Sequence, residues 1–285
     1  MSKNITLATR KSPLAVIQTQ LACDYLKEKL PEYDFSMLKL STTGDKRRSW
    51  SLETEGGKGL FTKELEMALN EGRADLAVHS AKDLPMELGS GLTLAGYLSR
   101  ADALDVFVMR EGCSDIKTIA TSSPRRRVQV GLLHPRINWI EIRGNVETRL
   151  DKIASGEADA TILAAAGLNR LSIDSWPGLI FKPYTIRELV PAAGQGAIAL
   201  ECREGDAPQY QAVLDEITDR AVSIERYLIG ELGGGCHSAH AAYFLADILY
   251  VYHENHGFNQ YDFVDLDDAE IKIRLREIVN ELKDS

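Results

Sequence analysis

The chain has 285 residues, with 33 Lys and Arg against 42 Asp and Glu, and a formal net charge of −9. A hydrophobic share of 44% and a charged share of 26% describe a globular protein rather than a disordered one. Its length suits about two domains of roughly 100–200 residues each. No apolar run reaches the roughly 18 residues of a spanning helix. Met1 to Thr6 lacks a signal-peptide core, and Cys23, Cys113, Cys202 and Cys236 lie too far apart for a disulfide framework or a paired zinc motif. A secreted, disulfide-held or membrane protein is thereby excluded, and a reduced, cytoplasmic one with no membrane partner is expected.

In chain order, Ile5–Thr9 reads as a strand, followed by a helix with Ser12 as N-cap and Pro13 in its first turn. Phe35–Leu40 reads as a second strand. Ser41–Gly59, polar and containing four glycines, reads as a long mobile loop. Leu60–Asn70 is helical by period, and Leu76-Ala77-Val78 is a buried strand ending at His79-Ser80. Further strands are expected at Leu92–Ala95, Val106–Met109, Trp139–Ile142, Thr161–Leu163 and Ile198–Leu200, with helices between several of them. The alternation predicts α/β layers. Beyond about Thr218 come a helix through Ile224 and Leu232, strands at Ala241–Leu245 and Ile248–Tyr252, an acidic stretch from Asp262 to Glu270, and a closing amphipathic helix.

Two echoes suggest an internal duplication. Ala8-Thr9-Arg10-Lys11-Ser12-Pro13 resembles Ala120-Thr121-Ser122-Ser123-Pro124, each a strand end running into a Ser-Pro helix start. Gly72 to Leu76 resembles Gly156 to Ala160, each leading into a strand. The expectation is two similar α/β lobes about a ligand cleft.

The net charge is unevenly spread. Residues 217–285 hold 13 acidic and 6 basic side chains, whereas Arg125, Arg126, Arg127, Arg136, Arg143 and Arg149 crowd between Ser122 and Arg149. A nucleic-acid binder would be basic over a whole domain with interleaved aromatic residues. A local arginine cluster in an acidic protein points instead to a small anion, because guanidinium forks match carboxylates and phosphates.

Three motifs could carry chemistry. His79-Ser80-Ala81-Lys82-Asp83 ends a strand with a carboxylate suited to accept N–H donors and to stabilise positive charge. Thr121 to Arg126 starts a helix with backbone N–H groups and guanidiniums, an anion site, and Arg10-Lys11-Ser12 repeats the recipe. Gly233-Gly234-Gly235-Cys236 leaves a thiol unshielded, as a nucleophile or an attachment point. Cys236, His237, His240, His253 and His256 match no zinc spacing, so no metal is expected. Gly194-Gln195-Gly196 does not complete a dinucleotide loop.

Taken together the motifs resemble the porphobilinogen deaminase family. They are ATRKSPLA (8–15), STTGD (41–45), GGKGLFTKELE (56–66), ADLAVHSAKDLP (74–85), TSSPRRR (121–127), IRGNVETRL (142–150), AAAGLNRL (164–171), PAAGQGAIALECR (191–203) and GGGC (233–236). The resemblance implies two periplasmic-binding-protein-like lobes around a cleft plus a smaller third α/β domain. Domain 1 would span 1–98 and 197–216, with Asp83 and the lid loop; domain 2 would span 99–196; domain 3 would span 217–285 and attach the cofactor. It also implies the head-to-tail joining of four porphobilinogen molecules into hydroxymethylbilane with loss of ammonia.

That chemistry would use a dipyrromethane cofactor held by a thioether at Cys236. By the same resemblance Asp83, Lys82 and Arg10 would be catalytic. Ser12, Lys58, Ser122, Ser123, Arg125, Arg126, Gly144 and Gln195 would hold the cofactor, and Arg143, Arg149 and Arg170 the substrate. A monomer with porphobilinogen as its small-molecule partner is expected. After Cys236 the chain has His237-Ser238-Ala239-His240 where the family has a short apolar segment with proline. A degenerate paralogue that binds linear pyrroles without turnover is the alternative, and a solute-binding module a more distant one.

Overall fold

The computed structural model describes residues 3–43, 62–235 and 238–283. The strands are β1 (Lys3–Arg10), β2 (Tyr33–Leu40), β3 (Leu76–Ser80), β4 (Leu92–Tyr97), β5 (Asp105–Arg110), β6 (Thr118–Ala120), β7 (Asn138–Ile140), β8 (Ala160–Ala164), β9 (Leu179–Pro183), β10 (Ile198–Arg203), β11 (Ala241–Leu245), β12 (Ile248–His253) and β13 (Gly257–Asp262). The helices are α1 (Pro13–Lys29), α2 (Lys63–Asn70), α3 (Pro124–Leu133), α4 (Val146–Ala154), α5 (Ala165–Arg170), α6 (Pro208–Gln211), α7 (Glu216–Glu231) and α8 (Asp268–Lys283). No helix among the described residues is long and apolar enough to cross a membrane.

The chain divides into two compact units, the first from 1–101, 167–173 and 196–219, the second from 102–166, 174–195 and 220–285. The first is built on a mixed sheet of order β2-β1-β3-β10-β4. β1 runs parallel to β2 and β3, while β10 is antiparallel to both β3 and β4. Alternation along the strands gives the sheet two apolar faces. Leu7, Leu76, Val78 and Leu200 pack with Ala22 and Leu26 of α1, while Ala8 and Ala77 pack with Leu65, Ala68 and Leu69 of α2.

The second unit repeats the plan with order β7-β6-β8-β5-β9. β6 is parallel to β7 and β8, and β5 antiparallel to β8 and β9. Its core gathers Phe107, Ile119, Val130, Ile162 and Leu189. The same unit carries the antiparallel sheet β11-β12-β13, whose Tyr243 and Tyr252 pack with Ala103 and Val190.

The duplication read from the sequence extends to hydrogen bonds. Ser12 caps α1 by accepting the Ala15 N–H, and Ser123 caps α3 by accepting that of Arg126; each helix has Pro in its first turn. Asp75 accepts the Thr6 N–H of the neighbouring strand, and Asp159 accepts that of Thr118. Gly72 and Gly156, which open these two turns, have φ of 70° and 87°, a region glycine enters without strain.

One expectation needs correction. The strand placed at Trp139–Ile142 is Asn138–Ile140, and the Ile142 carbonyl accepts the Ser122 hydroxyl. The acidic stretch from Asp262 joins two elements. Asp262 closes β13, and Asp267 with Glu270 forms a reciprocal capping box at the start of α8. The edge strand β9 had no sequence counterpart in the expected elements.

Candidate active site

β1 and β3 run parallel in adjacent positions, so their carboxyl ends open side by side, where α/β sheets bind ligands. A cavity of about 80 Å³ lies there within the first unit. β1 and its following turn supply Arg10 and Ser12; β3 supplies His79 and Ser80; the 3-10 turn Ala81–Asp83 supplies Asp83. Gln18 enters from α1 and bonds through Nε2 to the Ser80 hydroxyl at 2.9 Å. Thr62, just before α2, is 2% exposed, and its hydroxyl has no hydrogen-bond partner among the described residues. Asp83 is exposed, and no side chain among the described residues pairs with its carboxylate. Lys82 is half-buried in the same turn.

The arginine cluster belongs to the second unit and is more buried than a solvated cluster would be. Arg125 and Arg126 converge on Asp105, which is fully buried: Arg125 Nη2 donates to Oδ2 at 2.8 Å and Arg126 Nη2 to Oδ1 at 2.7 Å. Arg125 also donates to the Val190 carbonyl and Arg126 to that of Ile162. Burial lowers the Arg125 pKa, against the opposing pull of Asp105. Two guanidiniums on one carboxylate leave a net positive charge at the N-terminus of α3, where the helix dipole adds to it.

The remaining expected site residues fall into two sets. Ser122, Ser123, Arg143, Gly144 and Arg149 gather around the α3 and α4 starts of the second unit. Arg149 Nε donates to the Gly144 carbonyl at 2.9 Å. Gly144 has φ of 121°, and a Cβ there would meet Thr148 Cγ2 at 2.7 Å, so the turn itself requires glycine. Gln195 is fully buried and donates to the Ala103 carbonyl at 2.6 Å. Arg170 instead belongs to the first unit, donating to the Gly196 carbonyl at 2.6 Å, and burial lowers its pKa to about 10. Lys58, Cys236 and most of the expected lid loop lie outside the described residues.

Gln18, Thr62, His79 and Ser80 line the cavity without having been assigned a role in the sequence. His79 and Ser80 stood inside a chosen motif, but a strand residue's pocket contact depends on the element beside it. His240, His253 and His256 do come together, with ring centroids 4.4 and 4.9 Å apart for successive pairs. His240 and His253 stack with their planes 10° apart, while His256 is tilted by 59° to His253, and no group of three or more His, Cys, Asp or Glu among the described residues is placed to hold a metal.

Duplicated α/β units, one with an exposed carboxylate and a cation at its strand ends and the other with concentrated arginine, define a two-unit α/β protein with candidate sites for charged ligands. The family model described as "Porphobilinogen deaminase, dipyromethane cofactor binding domain" matches residues 5–211. A porphobilinogen deaminase of Alkaliphilus metalliredigens is 41% identical over 249 residues, covering 85% of this chain and 78% of that protein. One of Clostridium acetobutylicum is 39% identical over 277 residues, covering 94% and 91%. Among solved structures, the Bordetella pertussis BvgS VFT2 domain aligns at a TM-score of 0.46 and 15% identity, over 77% of this chain and 90% of that one. The chain belongs to the porphobilinogen deaminase family, enzymes of tetrapyrrole synthesis with a dipyrromethane cofactor.

The residues present fit such a group. A dipyrromethane offers pyrrole N–H donors and carboxylates. Among the described residues the first unit has acceptors without partners, the Asp83 carboxylate and the buried Thr62 hydroxyl, beside Arg10.

Proposed function

We propose that this chain deaminates four porphobilinogen molecules and joins them head to tail on a dipyrromethane attached by a thioether to Cys236, releasing ammonia, with water then cleaving the product from the cofactor as hydroxymethylbilane. The observation that carries the reading is the Asp83 carboxylate, unpaired among the described residues and sharing a cavity with Arg10 and Ser12. The bound cofactor supplies the pyrrole carbon from which the product is extended. Asp83 accepts pyrrole N–H donors and stabilises the positive charge that develops on the substrate as ammonia leaves. Arg10 and Lys82 assist deamination and hold carboxylates.

Ser12, Lys58, Ser122, Ser123, Arg125, Arg126, Gly144 and Gln195 hold the cofactor, and Arg143, Arg149 and Arg170 bind the acetate and propionate groups of the substrate. Each pyrrole brings two carboxylates, so a lengthening product needs many cations, which supports assigning the arginine cluster to this task. The three separate sheets support a division into domain 1 (1–98 and 197–216), domain 2 (99–196) and domain 3 (217–285). The protein works as a cytoplasmic monomer without nucleic-acid or membrane partners.

Two measurements test this. Ammonia release from porphobilinogen should fall by on the order of 10²–10³ in Asp83→Ala, the loss seen when one preorganised charge-stabilising group is removed. Undiminished release would move the reaction elsewhere. Intact mass under denaturing conditions should exceed the chain by two linked porphobilinogen-derived units, and Cys236→Ser should abolish that excess. A modified Cys236→Ser protein would move the anchor.

A further inference from the structure

Behind the Asp83 cavity lies a buried acid–imidazole pair that the proposed chemistry does not use. β10 pairs antiparallel with β3 so that Ala199 faces His79 and Glu201 faces Ala77. Directly opposed residues share a sheet face, so Glu201 and His79 are diagonal neighbours on one side, within reach of long side chains. His79 Nε2 lies 2.9 Å from Glu201 Oε2, with side chains 5% and 0% exposed. The other carboxylate oxygen, Oε1, is buried without a hydrogen-bond partner among the described residues. A carboxylate held in the sheet with one oxygen unsatisfied is costly, and apolar side chains of similar size would avoid the cost.

The imidazole links this pair to the cavity, since His79 is one of the residues lining it beside Arg10 and Asp83. With Nε2 engaged by Glu201, the second ring nitrogen, Nδ1, has no partner among the described residues. When Nε2–H donates to the carboxylate, Nδ1 is left as a lone-pair acceptor. The side of the cavity formed by β3 and its turn then holds two acceptors for N–H groups, Nδ1 and the Asp83 carboxylate.

We propose that His79 contacts an N–H donor of the bound pyrrolic substrate through Nδ1, and that Glu201 is the positioning residue that fixes its tautomer and ring orientation. The inference rests on the reading of the Asp83 cavity as the reaction site. Glu201 touches no ligand itself. It acts as a carboxylate that holds an imidazole does in other sites, by settling which ring nitrogen carries the proton. Glutamine at 201 keeps size and loses that control, because an amide can donate to Nε2 as readily as accept from it.

The test uses the full chain carrying its cofactor, with histidine labelled in ¹⁵N. Wild type should show a His79 Nε2–H resonance protected by its carboxylate partner, assigned by its absence in His79→Phe. Glu201→Gln should lose or shift that resonance and lower kcat by on the order of tenfold to a hundredfold with KM little changed, the scale of a misplaced reacting group. A Glu201→Gln protein with the wild-type resonance and kcat overturns the proposal.

Should Glu201→Gln not fold, the double variant His79→Phe with Glu201→Leu replaces the pair by apolar packing, a change that is often neutral or stabilising. It should fold and lose kcat; wild-type kcat would leave the pair a packing feature and overturn the proposal. Asp83→Ala separates the two levels. If it keeps full ammonia release, the site reading fails. If it loses release while the pair variants do not, only the inference about Glu201 and His79 fails.

Discussion

Asp105 is the residue on which the arginine-rich unit most depends, because its carboxylate compensates two buried guanidiniums. Asp105→Asn keeps the shape but removes the charge, leaving Arg125 and Arg126 against each other and two carbonyls. Breaking a buried ion pair in this way costs roughly 3–5 kcal/mol, which should appear as a lower urea midpoint. A midpoint within error of wild type would show that water or the ligand carboxylates already neutralise the cluster. Spacing in the sequence marked Arg125 and Arg126 as anion binders, but it could not show that both are anchored from behind. Asp105 lies some twenty positions upstream in an apolar strand, where nothing in its neighbours marks it. Asp83 was legible as a candidate for the opposite reason, since a local motif at a strand end marks it.

Among elements, α7 fastens the small antiparallel sheet to the turn that carries Gln195. Its Glu225 is fully buried, and its two carboxylate oxygens accept the Gly194 N–H and the Phe244 N–H at 2.7 and 2.8 Å. Glu225→Leu would leave two buried backbone donors without acceptors, at about 1–3 kcal/mol each. Amide exchange of Gly194 and Phe244 should accelerate together in that variant. Faster exchange at only one of them would show that the carboxylate does not couple the two elements. The helix was visible in the sequence from the spacing of Ile224, Leu228 and Leu232, and both Ser-Pro starts were visible as caps. The short edge strand β9 was not: it owes its place to β5, some seventy positions upstream, so its own residues carry little period.

At the scale of the whole molecule, acid should unfold the protein through a few carboxylates held by hydrogen bonds. Burial of Asp159 raises its pKa, but the N–H groups of Lys117 and Thr118, the Thr118 hydroxyl and Arg110 together pull it well below the usual range. Asp215 is lowered likewise, with burial outweighed by Thr218 and Ser99, and Glu188 is lowered by Thr185. A carboxyl whose folded pKa is depressed contributes stability that is fully present above its unfolded value, about 4, and is lost as pH falls through the folded one. Urea midpoints should therefore be flat from pH 7 to 5 and fall below about pH 4. Asp159→Asn should shallow that fall, and an unchanged acid limb would remove Asp159 as its source.

The insertion of β10 between β3 and β4 has a consequence for how the protein is made. β10 brings the last strand of the first sheet, and with it Glu201, only after 98–197 has been synthesised. A nascent chain that has just released β4 holds two strands with no partner between them, open edges of the kind that pair with other chains. The second sheet meets no such delay, since β5 to β9 are consecutive in the chain. On the ribosome, then, the arginine-rich sheet can close before the sheet bearing Asp83, although the latter begins at the N-terminus. Of the two five-stranded sheets, the one that is started first is completed second.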